Sequence, residues 1–191
     1  MKITRRDFIK NTLLWGGSLI FAPYPVYASE QIEQQGYPGY AKLESDGKLA
    51  ERVEEAYALF EECRLCPREC GVNRLDGEKG FCKAPLKVMV YTAQPHFGEE
   101  LSLVGRHGSG TIFFSNCNLR CVFCQNWPIS IRGEGRAIED EGLAQLMMFL
   151  QEIGCHNINL VTPTHVMPNI LKATRLAFQK GLRIPLVYNT S

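Results

Sequence analysis

The sequence predicts an α/β protein: about three βα units of a parallel sheet, preceded by a helix and a cysteine-rich knuckle. Three observations carry this expectation. From Gly110 onward, short apolar runs alternate with helical patterns, as consecutive βαβ units require. An amphipathic pattern runs upstream from about Leu49 to Glu62. Of the eight cysteines, all but Cys155 fall into two tight groups, and grouped thiols are the raw material of metal sites.

The first 28 residues read as a targeting segment and stand outside the fold. Arg5 and Arg6 precede Asp7, Phe8, Ile9 and Lys10; an apolar run follows from Thr12 to Ala22, and Val26-Tyr27-Ala28 offers a cleavage pattern. That order resembles a twin-arginine export signal. The run is far shorter than the ~20 residues that span a bilayer. The expectation is a periplasmic or membrane-tethered protein, the alternative an uncleaved amphiphilic segment on a cytoplasmic one. Loss of Lys2, Arg5, Arg6, Lys10 and Asp7 with this segment would turn the net charge from +1 to −2. Neither value suits a nucleic-acid-binding surface.

Residues 29–48 are polar and punctuated by Gly and Pro, and read as a linker. Residues 49–109 hold the expected helix and a cysteine-rich metal-binding region. In that helix Val53, Ala56, Tyr57 and Phe60 share a face. Residues 110–191 hold the alternating part. Thr111 to Ser115 is the first buried-strand candidate. A helix is expected near Glu139 to Ile153, with Leu143, Leu146, Met147 and Leu150 as its stripe and Gly154 as C-cap. Asn157 to Val161 is the second strand, Pro168 to Lys180 the second helix and Pro185 to Tyr188 the third strand. Such spacing predicts right-handed crossovers and an all-parallel sheet. Three strands cannot close a barrel and leave a bare edge, so the chain reads as cut short at its C-terminal side.

Cys117-x3-Cys121-x2-Cys124 follows the first strand, on the side of a parallel sheet where α/β active sites form. Soft thiolates select zinc, copper(I) or iron–sulfur clusters. Three thiolates on a [4Fe–4S] cube would leave one iron without a protein ligand, and an open position marks chemistry where a closed one marks scaffolding. A closed metal site and disulfides are the competing readings. The four-cysteine ferredoxin run is absent.

With Phe123 before its last cysteine, this motif resembles the radical S-adenosylmethionine superfamily. The stretch from Gly108 to Ser130 is similar to pyruvate formate-lyase-activating-enzyme homologues. The likeness extends through "CRLCPRECGVNRLDGEKGFC" (63–82), "HFGEE" (96–100) and "NINLVTPTHVMP" (157–168). What the resemblance implies is a partial (β/α) barrel of the radical SAM type and a [4Fe–4S] cluster on Cys117, Cys121 and Cys124. S-adenosyl-L-methionine would chelate the open iron, and its reductive cleavage would yield a 5′-deoxyadenosyl radical for hydrogen abstraction. Implied partners are a low-potential electron donor and a glycyl-radical enzyme or other protein substrate. Candidate cofactor contacts are Phe123 and Asn126 beside the cluster, Thr162 and Thr164 where many relatives carry a Gly-Gly-Glu-like segment, and Asn189 after the third strand. A non-catalytic iron–sulfur, zinc-binding or electron-transfer module is the alternative.

The second group, Cys63-x2-Cys66-x3-Cys70-x11-Cys82, supplies the four ligands of a closed site. Zinc, an auxiliary iron–sulfur cluster and two disulfides all suit it. Cys155, alone before a buried strand, reads as a structural thiol. His96, His107 and His156 read as surface or packing residues, whereas His165 stands at a strand's C-terminal end. "GRHGSG" (105–110) lacks the Lys-Ser/Thr of a P-loop and reads as a turn; "GEGR" (133–136) reads as a mobile loop.

Overall fold

The computed structural model describes residues 36–190. The twin-arginine-like segment lies outside the described residues, as does the first part of the expected linker. The elements are α1 (Gly39–Ser45), α2 (Lys48–Ala58), β1 (Val88–His96), α3 (Leu101–Val104), β2 (Ser109–Phe114), α4 (Trp127–Ser130), β3 (Arg136–Ile138), α5 (Asp140–Glu152), β4 (Ile158–Val161), α6 (Met167–Gln179) and β5 (Leu186–Asn189), with a 3-10 turn at Thr164–Val166. Among the described residues no helix is long and apolar enough to cross a membrane.

The five strands form one mixed sheet in the order β3-β1-β2-β4-β5. β2, β4 and β5 run parallel, Ile112 opposite Leu160 and Leu160 opposite Tyr188. These are the three strands expected from the sequence. The all-parallel expectation needs correction on the other side, where β1 pairs antiparallel with β2 and β3 antiparallel with β1. That pair covers the edge of β2 that three strands alone would leave bare. Pro95 inside β1 hides the strand from pattern reading, since proline removes a ladder donor.

β3 also corrects the reading of residues 133–136 as a mobile loop, because Arg136 opens the strand. Gly135 sits there at φ 149°, where a Cβ would meet Ser115 Oγ at 2.4 Å and the Val90 carbonyl oxygen at 2.8 Å. Only glycine fits so close to the backbone.

Parallel strands taken in chain order, with α5 and α6 as crossovers, place both helices on one face of the sheet. Leu143, Met147 and Leu150 of α5 and Ile170, Ala173 and Ala177 of α6 share one buried core with Val88, Ile112, Phe114, Ile158 and Leu160. Each large aliphatic side chain buried there contributes about 2 kcal/mol. A doubly wound sheet would carry helices on both faces; this one is wound in a single direction. Alternation turns Thr111 and Asn159 to the opposite face, where both are buried.

α1 corrects the linker expectation for its residues. Tyr40 and Ala41 join the core, and the Tyr40 hydroxyl donates to the Ile184 carbonyl at 2.7 Å. α2, α5 and α6 are joined by a buried polar network around Asp140. Its carboxylate accepts from Tyr57 Oη and, at 2.9 Å, from Asn169 Nδ2, and pairs with Lys172 Nζ at 3.0 Å. Burial first, and then Asp140, push the Tyr57 hydroxyl well above the usual phenol range.

Candidate functional site

The three-cysteine loop leaves the C-terminal end of β2 through left-handed backbone at Asn116 (φ 68°) and Arg120 (φ 52°). Its entrance is fixed: Ser115 N–H donates to the Met89 carbonyl at 2.8 Å and Asn116 N–H to the Ile129 carbonyl at 2.9 Å. Cys117 is buried, while Cys121 and Cys124 are half-buried. Two donors face sulfur. Leu119 N–H lies 3.4 Å from Cys117 Sγ and Ser130 Oγ 3.2 Å from Cys124 Sγ. Such donors are what the sulfurs of a metal site would accept from. Arg120 Nη1 is buried without a hydrogen-bond partner. The loop's crest is apolar and bare, with Val122 94% and Phe123 87% exposed.

The ends of β4 and β5 lie beside each other. Thr162, in left-handed conformation at φ 50°, donates its N–H to the Asn189 carbonyl at 3.0 Å, and Thr164 Oγ1 lies 3.2 Å from Thr190 Oγ1. So Thr162, Thr164 and Asn189 are brought together. Asn126 caps α4 through its carbonyl, which accepts from the N–H groups of Ile129 and Ser130. His165 is 1% exposed, and its Nε2 is 2.9 Å from the Ser115 carbonyl. A carbonyl only accepts, so Nε2 carries the proton. Burial lowers this imidazole to about 4. His165 therefore ties the end of β4 to the root of the three-cysteine loop as a neutral side chain.

The other cysteine group folds around Arg74. Gly71 N–H donates to the Cys63 carbonyl at 3.1 Å, Cys63 N–H to the Val72 carbonyl at 3.0 Å and Glu69 N–H to the Cys66 carbonyl at 3.0 Å. Ala84 N–H lies 3.5 Å from Cys82 Sγ. At Gly80 a Cβ would meet Cys70 Sγ at 2.3 Å, so a side chain there would displace that sulfur. Burial pulls the Arg74 guanidinium below its ordinary value, and Cys82, Cys63 and Cys70 each favour its charged form. Burial likewise raises the Cys82 thiol, which Arg74 lowers and Cys63 and Cys66 raise. The knuckle touches the three-cysteine loop directly, through Arg68 Nε and the Asn118 carbonyl at 3.2 Å.

All eight cysteines are free thiols. Among the described residues, no three His, Cys, Asp or Glu side chains are drawn together as around one metal ion. Each cysteine group shares one segment of the fold, but neither forms a finished coordination sphere. Cys155 is buried with its thiol raised by burial, in keeping with a structural role.

Three features escape the sequence reading. Arg74 looks like an ordinary surface cation between two cysteines and carries no signal of burial. Asn159 is 1% exposed, with neither side-chain polar atom hydrogen-bonded; the alternation Asn157-Ile158-Asn159-Leu160 is a signal that could have found it. Lys79, Lys83, Asn116 and Arg132 meet in an open cleft of about 420 Å³ beside the loop, from segments too far apart in sequence to be associated.

The chain is 35% identical over 149 residues to an uncharacterized protein of the archaeon Methanocaldococcus jannaschii. The match covers 73% of this chain but only 41% of the archaeal protein, so the chain spans about two fifths of that relative's length. No family model and no solved structure matches.

Proposed function

We propose that the chain carries the first part of a radical S-adenosylmethionine core, with Cys117, Cys121 and Cys124 as ligands of a [4Fe–4S] cluster. One observation supports this most. A three-cysteine loop rises from the C-terminal end of the first strand in a parallel run wound in one direction, as in a partial (β/α) barrel, and the polar ends of the next two strands lie side by side. The donor set fits such a cluster: three soft ligands, with N–H and O–H donors on two of the sulfurs.

When bound, the cluster would supply the electron that cleaves S-adenosylmethionine to methionine and a 5′-deoxyadenosyl radical for hydrogen abstraction. The chain's own residues hold and orient. Leu119 N–H and Ser130 Oγ spread charge from Cys117 and Cys124. Thr162, Thr164 and Asn189 offer carbonyl and side-chain polar groups at the strand ends for the amino acid portion of the cosubstrate. Asn159 and Thr111 lie on the face turned from the helices, where a barrel interior would form. Exposed Val122 and Phe123 give a low-potential electron donor, or a glycyl-radical enzyme or other protein substrate, an apolar surface to dock on.

Anaerobic reconstitution with iron and sulfide, followed by dithionite and S-adenosylmethionine, tests this reading by the formation of 5′-deoxyadenosine. A second reading, a non-catalytic iron–sulfur or zinc-binding electron carrier, draws on the four-cysteine knuckle that touches the loop through Arg68 and Asn118. A cluster that forms without any 5′-deoxyadenosine would favour it. Residues 1–28 would export the folded, loaded protein by a twin-arginine-like route, and an uncleaved protein found wholly in the cytoplasm would contradict that.

A further inference from the structure

Among the described residues, Arg74 is a buried charge with no carboxylate partner. It is 1% exposed. Its Nη1 donates to the His165 carbonyl at 2.7 Å and its Nη2 to the Pro85 carbonyl at 2.5 Å, while the guanidinium lies 4.3 Å from the centre of the Phe60 ring. These three contacts are with neutral groups, and Cys63 adds a side-chain hydrogen bond. Nε is buried without a hydrogen-bond partner. Among the described residues, the ion pairs of Asp and Glu engage other cations. Guanidinium does not lose its proton in proteins, and leaving it uncompensated inside a fold costs several kcal/mol.

What does surround Arg74 is sulfur. Backbone hydrogen bonds fold the segment of Cys63, Cys66 and Cys70 back on itself beside Arg74, whose own N–H donates to the Phe60 carbonyl, and Cys82, Cys63 and Cys70 each favour the charged guanidinium. Neutral thiols would not offset a full charge. Four thiolates on a divalent ion, or on an oxidised cubane cluster, leave a centre with two net negative charges. We propose that Cys63, Cys66, Cys70 and Cys82 together hold one thiophilic metal centre, zinc or iron–sulfur, and that Arg74 is its buried countercharge. The backbone is shaped for it, with Gly71 at φ 65° and Gly80 leaving room for Cys70 Sγ. Arg74 is a positioning residue here: it acts on the centre through charge and holds it against the carbonyls of Pro85 and His165. The inference stands on the knuckle alone and does not rest on the cofactor reading of Cys117, Cys121 and Cys124.

The test uses the full chain carrying Cys117→Ser, Cys121→Ser and Cys124→Ser, which leaves the knuckle as the cysteine cluster. Isolated anaerobically, it should retain about one zinc per chain, or iron with acid-labile sulfide, in stoichiometric amount. Zinc identifies a zinc knuckle, iron with sulfide an auxiliary cluster. Protein that holds neither metal and gives no tetrahedral thiolate spectrum with Co2+ overturns the proposal. With Co2+ as the probe against a competing chelator, Arg74→Met should weaken binding roughly 10–100-fold, and Arg74→Lys should recover most of it. Affinity within twofold of the parent in Arg74→Met overturns the countercharge role. If Arg74→Met does not fold, thermal unfolding of the parent decides. Metal-stripped protein, with Arg74 uncompensated, should melt well below the loaded form, and equal melting temperatures contradict the proposal.

Discussion

The two cysteine groups sit a few residues from each other in space and are built in opposite ways. The knuckle surrounds a buried cation, closes on itself through backbone hydrogen bonds and has a glycine where a side chain would displace sulfur. The three-cysteine loop is anchored at its root and held by Arg68 at Asn118, and its crest is exposed Val122 and Phe123. Four cysteines around an internal charge suit the closed centre proposed for the knuckle. Three cysteines under a bare crest suit the open cluster proposed for the loop. Arg68 and the chain of contacts from Arg74 through His165 to Ser115 join the first to the second, so the knuckle braces the loop.

On that contrast, damage to the shared frame should disable both groups, whereas local changes should separate them. Asp140→Ala is the largest expected effect. It removes the carboxylate shared by Tyr57, Asn169 and the half-exposed Lys172, and should cost about 3–5 kcal/mol in chemical denaturation, the sum of ~1–3 kcal/mol for each buried group left short of a partner, with both groups losing metal together.

Acid should come next, through the brace. His165 is held near 4 against an ordinary value of 6.5, so the fold favours its neutral form. Its contribution is complete above pH 6.5, declines as pH falls towards 4 and is lost below. At about 1.4 kcal/mol per pH interval, the decline amounts to about 3 kcal/mol. Denaturation midpoints measured from pH 7 to 4 should show it, and His165→Gln should flatten that part of the profile.

Gly80→Ala should separate the groups. The added Cβ would overlap Cys70 Sγ, so metal affinity of the knuckle should fall roughly tenfold, while iron on Cys117, Cys121 and Cys124 stays. Equal loss from both would break the contrast. The smallest stability effect is expected for Phe123→Ala, within about 0.5 kcal/mol because the ring is exposed. Its effect should appear instead in 5′-deoxyadenosine formation.

Much of the frame is legible in the sequence because its signals are local. The stripe Leu143, Met147 and Leu150, and the runs that become β2, β4 and β5, announce themselves by period. β1 does not, since Pro95 interrupts it, and β3 is only Arg136 to Ile138. Short α1 lies among glycines and prolines, and its burial depends on Ile184 and Phe178, more than 130 residues away. At the sites, cysteine spacing marks the candidate ligands, and the strand ends beside them follow from topology. What spacing does not convey is charge balance: nothing near Arg74 in sequence shows that it will be enclosed, because the enclosure is made by Phe60, Pro85 and His165 together.

The central claim is the proposal that Cys117, Cys121 and Cys124 hold a cluster to which S-adenosylmethionine binds. Its most direct test is 5′-deoxyadenosine measured after anaerobic reconstitution and reduction, in the parent chain and in Cys117→Ser, Cys121→Ser and Cys124→Ser singly. Product from the parent and only background from each variant is the expected result. Product that survives any one of these substitutions, or a fully loaded and reduced parent that yields none, would contradict it.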